Sequence, residues 1–375
     1  MKLNKQQYID DIDIKSVINV LQSDILTGGD KVSEFEDKIA KYVGSKYAVA
    51  LSSGTAALHS AMFALNIKPD DEVLVPAITF VATANCVLYL RAKPIFVDVC
   101  PDTLLISTDD LVKKITQKTR AIIAMDYGGH PCEYDILLSI ASTYNLYLIS
   151  DACHSLGAKY NNQMIGSIAD MTIFSFHPVK HITTGEGGMV VTDNSEFKKQ
   201  IKLFRNHGIN LDYKERELNL TWSYQMESIG YNYRITDFQC ALGISQLEKL
   251  NTFIQRRRNI AQEYNKCFLE LDGVTPLNVS ENVFHVFHLF VIKLENSKIR
   301  QKLFQELKRK GFSVNVHYLP VYLHPYYQKN IYNSKFSCPN AENAYNCILS
   351  LPINNNMREN EVYELVENIS KIVGN

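Results

Sequence analysis

The sequence predicts an α/β fold: a mostly parallel sheet of seven strands with helices on both faces, followed by a smaller α+β domain. Three observations predict it. Short apolar runs alternate with helical-period stretches through the first 240 residues, and that alternation requires crossover units and a parallel sheet. Beyond residue 240 a long charged helical stretch and a mixed tail replace the alternation. At about 150 residues per domain, 375 residues make two or three domains. The division expected is 1–240 for the sheet domain, with an N-terminal helical segment, and 241–375 for the smaller one.

In chain order, Ile14, Val17, Ile18 and Leu21 repeat at helical spacing within Asp13–Ser23, and Thr27-Gly28-Gly29 breaks the pattern. Ser33, with Glu36 three residues on, reads as a capping box opening a second helix. Tyr47–Leu51 reads as a strand and Ala56–Leu65 as a helix. Further strands are expected at Glu72–Val75, Pro94–Val97, Arg120–Ala124, Leu146–Ser150, Met171–Phe176 and Gly188–Thr192. Helices are expected at Val81–Leu90, Asp109–Ile115, Glu133–Tyr144 and Glu196–Phe204. Asn210–Tyr224 is polar, poorly periodic and holds the single tryptophan, Trp222, so it reads as a long surface loop. Thr236–Leu271 reads as one long helix or a bent pair. The tail offers a strand at His285–Lys293, a helix at Lys298–Lys310, a strand at Ser313–His317 and two late helices.

Composition removes several functions. Forty acids against 39 bases leave a net charge of −1, so no field of one sign draws in nucleic acid or an anionic membrane. Arg256–Arg258 reads as a solvated helix face. The eight cysteines, from Cys86 to Cys347, contain no C-x-x-C pair, so neither a zinc ribbon nor a thioredoxin-type motif is indicated and reduced thiols are the simpler reading; Asp151 and His154 lack a third ligand nearby for a metal. No apolar run approaches a membrane span, and Met1–Asp13 lacks the apolar core of a signal peptide. A cytoplasmic protein is expected.

Four segments carry chemistry, each where a strand ends or a helix begins, the place where open α/β sheets bind ligands. In Ser52-Ser53-Gly54-Thr55 a small-residue turn opens a helix after a strand. Free N–H groups there suit a phosphate, although Ser53 or Thr55 also reads as an ordinary N-cap. At Ser150-Asp151-Ala152-Cys153-His154 a strand delivers an acid, with an imidazole three residues later. An N-cap or a polar neighbour accounts for these two as well. Ser175, His177 and Lys180 close an apolar strand ahead of the glycine-rich stretch to Gly188. A desolvated lysine there becomes an amine nucleophile; exposed, it is only a loop lysine. Gly230-Tyr231-Asn232-Tyr233-Arg234 reads as an anion site or a domain seam. Phe80, after a strand, reads as a ring-stacking group or as core. Together these are the parts a pyridoxal phosphate enzyme requires: a phosphate cup, an acid for a pyridinium nitrogen and a Schiff-base lysine.

The chain resembles the DegT/DnrJ/EryC1/StrS sugar aminotransferases, among the fold-type I pyridoxal phosphate enzymes. The likeness runs nearly end to end, through LTGGDKVSEFE (Leu26–Glu36), SSGTAALH (Ser52–His59), DACHSLGA (Asp151–Ala158), FSFHPVKHITTGEGG (Phe174–Gly188) and GYNYRITDFQCALGISQL (Gly230–Leu247). A narrower likeness, in WSYQMESIGYNYR and VNVHYLPVYLHPYYQ (Val314–Gln328), is to the branch serving pseudaminic acid synthesis.

The resemblance implies roles. Lys180 would hold pyridoxal 5'-phosphate as a Schiff base and shuttle the proton, with pyridoxamine 5'-phosphate formed during turnover. Asp151 would pair with the pyridinium nitrogen. His154 would lie beside the phenolic oxygen, where many members have Gln. Ser53, Gly54, Thr55 and Ser175 would hold the phosphate, and Phe80 would stack on the ring. Asn232 would reach the neighbouring subunit's site, making a homodimer with shared sites. Leu26, Thr27, His317 and Tyr318 would lie near the substrate. The branch implies a UDP-4-keto-6-deoxy-N-acetylhexosamine as substrate and L-glutamate as donor. Two positions depart from the branch: Asn4 stands where a tyrosine is frequent, and Leu319 where some members have Lys. Related sugar dehydratases carry His where Lys180 stands, a nicotinamide oxidoreductase would need a G-x-G-x-x-G turn absent here, and a non-catalytic regulator would not need the full motif set.

Overall fold

A computed structural model describes residues 7–331 and 336–374, so Asn4 lies outside the described residues. The chain opens with α1 (Asp11–Leu21), capped by Asp10, whose carboxylate accepts the Ile12 and Asp13 amides. Next, α2 (Asp30–Val43) starts three residues before the expected Ser33 cap. The cap comes from far along the chain: the buried carboxylate of Asp237 accepts the Gly29 amide at 2.7 Å and the Lys31 amide at 3.0 Å. Ser33 turns back instead to the Asp30 carbonyl.

The sheet domain then alternates as predicted. Its elements are β1 (Tyr47–Leu51), α3 (Gly54–Ala64), β2 (Glu72–Pro76), α4 (Val81–Tyr89), β3 (Lys93–Val97), α5 (Thr108–Lys113), β4 (Thr119–Met125), α6 (Tyr134–Tyr144) and β5 (Tyr147–Asp151). Two short strands follow, β6 (Lys159–Tyr160) and β7 (Gln163–Met164), then β8 (Met171–Ser175), β9 (Gly188–Thr192) and α7 (Ser195–Arg205). Seven strands form one sheet in the order β1-β9-β8-β5-β4-β2-β3. Only β9 runs against the rest. The central strands are apolar along their length because both faces are covered, and Val73, Leu74, Ile122, Ile123, Leu148 and Ile149 have no exposed surface.

The expected loop 210–224 carries a short helix, α8 (Tyr213–Leu218), closed by a capping box between Asp212 and Glu215. Thr236–Leu271 is a bent pair, α9 (Asp237–Leu247) and α10 (Leu250–Phe268). Its triple arginine is not a solvated face. Arg257 is buried and donates to the carbonyls of Phe287, His288 and Ile353, while Arg258 lies 4.1 Å from the Phe284 ring centre.

A three-stranded antiparallel sheet joins β10 (Val274–Pro276), β12 (Phe290–Leu294) and β13 (Ile348–Leu351); β11 (Val283–Phe284) pairs with β6. Around it lie α11 (Ser297–Arg309), α12 (Pro325–Asn330), α13 (Pro339–Cys347) and α14 (Glu359–Val373). Two expected strands are shorter than their apolar runs. The first begins at Phe290, because Val286 and Leu289 spend their amides on the Gly129 and Gly128 carbonyls. The second shrinks to a single bridge between Asn315 and Ser350. Two apolar clusters result: one spans the main sheet, and the second is built from residues between Ile260 and Ile369.

Candidate active site

The sheet register brings three chain segments to one edge. Leu51, Gly188 and Ser175 share a rung across β1, β9 and β8, and Asp151 ends the neighbouring β5. Past that rung, Ser53 caps α3 by accepting the Ala56 amide at 3.1 Å. Gly54 is the first helical residue, with the helix N–H groups open ahead of it. A side chain at Gly54 would put its Cβ 3.0 Å from the Ser175 Cβ and 3.3 Å from the Cys153 sulfur. At Gly188 a Cβ would sit 2.2 Å from the Ser53 carbonyl oxygen. The bare backbone at these positions keeps a cradle of Ser53, Gly54, Thr55 and Ser175 open, with the positive end of α3 facing it.

Asp151 is buried, and each of its oxygens has one partner and acceptor capacity to spare. Oδ2 accepts the Thr83 hydroxyl at 2.6 Å, and Oδ1 accepts the Cys153 amide at 3.3 Å. Thr83 is itself buried on the first turn of α4 and paired with Thr79 at 2.7 Å. Phe80, at the start of α4, is 53% exposed, so its ring is not core; it faces Tyr318 at 6.1 Å between centres.

Lys180 sits in the β8–β9 connection. That connection is tied by Lys180 N–H to the His177 carbonyl, by the Thr183 hydroxyl to the Phe176 carbonyl, and by the Phe176 amide to the Gly187 carbonyl. Among the described residues its ammonium makes no hydrogen bond or ion pair. Burial lowers the Lys180 pKa, and the neighbouring Cys153 and Asp151 oppose that only in part. An amine that is desolvated and unpaired is available as a nucleophile.

His154 is buried with Nδ1 unpartnered, while Nε2 faces the Tyr318 hydroxyl at 3.3 Å. Burial first, then the charge of Lys180, hold its pKa well below the ordinary histidine range, so the ring is neutral. His317 bonds Ser350 at 2.9 Å through Nδ1, and its carbonyl accepts the Tyr127 hydroxyl. Burial lowers the His317 pKa to about 4 and raises that of Tyr318.

The single chain thus gathers Ser53, Gly54, Thr55, Phe80, Asp151, His154, Ser175, Lys180, His317 and Tyr318 at one edge of the sheet. It does not bring Leu26, Thr27 or Asn232 there. Leu26 and Thr27 line a separate cavity of about 1170 Å³ with the exposed side of α7 and the segment around α8. Asn232 is exposed and bridges Asn206. Thr83 and His288 belong to the site's surroundings and were missed. A threonine in an apolar helix gives no sequence signal, and His288 lay within a presumed strand.

These features fit the pyridoxal phosphate that the motifs imply. The cradle offers N–H groups without a side chain in the way, the acid is buried and anchored, and one buried imidazole nitrogen has no partner. Among the described residues no cluster of His, Cys, Asp or Glu could hold a metal ion. No helix among them is long and apolar enough to cross a membrane.

Comparison with known proteins agrees. The model of the DegT/DnrJ/EryC1/StrS aminotransferase family matches residues 7–370. A UDP-4-amino-4,6-dideoxy-N-acetyl-beta-L-altrosamine transaminase of Campylobacter jejuni is 38% identical over 376 residues, covering 97% of each chain. Helicobacter pylori PseC, an aminotransferase involved in the biosynthesis of pseudoaminic acid, superposes with a TM-score of 0.92 at 31% identity, over 99% of this chain and 98% of that one. A Streptococcus pneumoniae protein assigned as a sugar aminotransferase, in its PMP form, superposes with a TM-score of 0.93 at 30% identity, over 99% and 98%. The chain therefore belongs to the DegT/DnrJ/EryC1/StrS aminotransferase family and is a pyridoxal phosphate-dependent sugar aminotransferase.

Proposed function

We propose that this aminotransferase moves the amino group of L-glutamate to C4 of UDP-2-acetamido-2,6-dideoxy-β-L-arabino-hex-4-ulose. The product would be UDP-4-amino-4,6-dideoxy-N-acetyl-β-L-altrosamine, for pseudaminic acid synthesis. The observation that carries the chemistry is the desolvated, unpaired amine of Lys180 beside the anchored carboxylate of Asp151. The likeness to the Campylobacter jejuni and Helicobacter pylori enzymes supports the choice of sugar.

Bound pyridoxal phosphate supplies an electrophilic carbonyl and a ring that accepts electrons. Lys180 Nζ would carry the cofactor and move the proton at the substrate carbon. Asp151 holds a proton on the ring nitrogen, and Thr83 keeps that carboxylate in place. Ser53, Gly54, Thr55 and Ser175 would hold the phosphate, with Phe80 and His154 as the groups that would orient the ring. His317 and Tyr318 meet the sugar from the C-terminal side.

The working form is a homodimer with shared sites, in the cytoplasm, with the Asn232 segment supplied to the partner's site and Leu26 and Thr27 near a sugar. The apolar surface around that segment supports the reading: Leu220 is 92% exposed, Trp222 90%, Ile229 78% and Met226 67%. Residues 1–240 and 241–375 act as separate large and small domains, a reading supported by the second apolar cluster.

The test supplies purified protein with pyridoxal phosphate, L-glutamate and either the β-L-arabino 4-keto sugar or its C5 epimer, α-D-xylo. Mass spectrometry follows the 4-amino product. Fast amination of the β-L-arabino sugar alone is expected. Preference for the epimer would move the enzyme to a bacillosamine or legionaminic type pathway, and amination of neither would mean another keto sugar.

A further inference from the structure

Behind His154 lies a second buried histidine that neither the motifs nor the mechanism above uses. The ring of His288 packs against that of His154 with centres 4.2 Å apart and planes tilted by 37°, and it sits 5.5 Å from His181, the residue next to Lys180. His288 Nδ1 and His154 Nδ1 are both buried without a partner, the only two imidazole atoms so left among the described residues. Packed rings carrying two unfilled buried nitrogens are costly unless something else completes them.

The backbone is built to hold His288 there. The apolar run His285–Lys293 reads as one strand, yet pairing starts only at Phe290. Ahead of it Phe287 takes a left-handed conformation, φ 48°, which a bulky residue adopts at a cost. Three bonds fix the departure. The Phe287 amide donates to His285 Nδ1 at 2.8 Å, and Arg257 donates to the carbonyls of Phe287 and His288 at 3.2 and 3.3 Å. On the near side, His181 Nε2 bonds the Val286 carbonyl at 3.1 Å, tying the segment to the Lys180 connection.

We propose that His288 is a positioning residue for the aminotransfer reaction, its ring fixing the orientation of the His154 imidazole against the bound cofactor. This rests on the reading that places pyridoxal phosphate beside His154. Every titratable or charged neighbour acts on these rings in one direction or not at all. Lys180, His181, His317 and Arg257 disfavour a charge on the His154–His288 pair, and Tyr318 meets His154 as a neutral hydroxyl. A neutral ring has one donor and one acceptor nitrogen, so its function depends on which way it is turned. The ring packed against it at 4.2 Å sets that direction.

The experiment reads the bound cofactor's absorbance against pH in the holoenzyme, independent of turnover. In His288→Leu the midpoint of that titration should move by about one pH unit, and the dissociation constant for pyridoxal phosphate should rise about tenfold. His288→Phe, which keeps a ring to pack against His154, should restore the midpoint. In a His154→Gln background, His288→Leu should produce no further shift, because the ring it positions is gone. If His288→Leu does not fold, His288→Asn reads the same quantity. An unchanged midpoint in a folded His288 variant would overturn the proposal, as would an equal shift with and without His154. Wild-type protein that binds no pyridoxal phosphate would instead overturn the cofactor reading beneath it, and this proposal with it.

Discussion

The hydroxyl of Thr83 donates to Asp151 Oδ2 at 2.6 Å, so a helix following β2 anchors the acid at the end of β5. Both groups are buried, and the Cys153 amide at 3.3 Å is the carboxylate's other partner. A hydrogen bond to a buried charge is worth about 1.5–3 kcal/mol. Thr83→Val should therefore lower kcat roughly 10- to 100-fold, with Thr83→Ser recovering most of it. Steady-state kinetics of the three proteins checks this. Wild-type kinetics in Thr83→Val would remove Thr83 from the site.

The Gly54 cradle makes a steric prediction. A methyl group there meets Ser175 Cβ at 3.0 Å, closer than ordinary contact, and fills space at the positive end of α3. Gly54→Ala should weaken cofactor binding about tenfold, because the phosphate loses close approach to the backbone. Equilibrium titration with pyridoxal phosphate measures it, and unchanged affinity would place the phosphate elsewhere.

Asp237 stabilises a distant helix. Its buried carboxylate accepts the Gly29 and Lys31 amides, and it is what starts α2 at Asp30. Asp237→Ala should cost about 1–3 kcal/mol, the range for a lost cap and newly unpaired amides. Urea unfolding of the variant tests it. The same change loosens the turn that carries Leu26 and Thr27.

Buried histidines set the acid limb of stability. Burial lowers His59 and His317 to about 4 and His181 to about 3, from an ordinary value of 6.5. Their folded pKa is depressed, so the unfolded chain takes up protons first as pH falls. The stability these neutral rings contribute is complete above pH 6.5 and is lost as pH drops toward 4. His59 is a suitable probe because it bonds the Tyr233 hydroxyl at 3.1 Å away from Lys180. In His59→Gln the drop in urea midpoint between about pH 7.5 and pH 5 should be smaller than in the wild type. An identical drop would remove His59 from the acid limb.

How far the sequence led can be judged at particular residues. The main sheet was legible because its central strands carry apolar runs buried on both faces, such as those at 73–75, 121–125 and 189–191. Lys180, Asp151 and Ser53 could be proposed from the sequence because each lies at or just past a strand or helix end with a distinctive neighbour. Thr83 was not, since its importance lies in a bond to a residue 68 positions away. His288 was hidden because Val286 and Leu289 donate to the turn at Gly128–Gly129, a tertiary choice that overrides an apolar strand pattern. Arg257 was misread for a related reason: helical charge runs normally face water, but here three carbonyls accept from Nη1 of a buried guanidinium. The early start of α2 depended on Asp237, more than two hundred residues along the chain.

The account depends most on Lys180, and one measurement reaches it directly. Holoenzyme reduced with borohydride locks the cofactor onto the amine that carries it, and peptide mass mapping then finds that residue. The pyridoxyl mass should appear on the peptide containing Lys180 and be absent from reduced Lys180→Ala protein, which should also have lost turnover. A label on a different lysine, or substantial steady-state amination by Lys180→Ala, would contradict it.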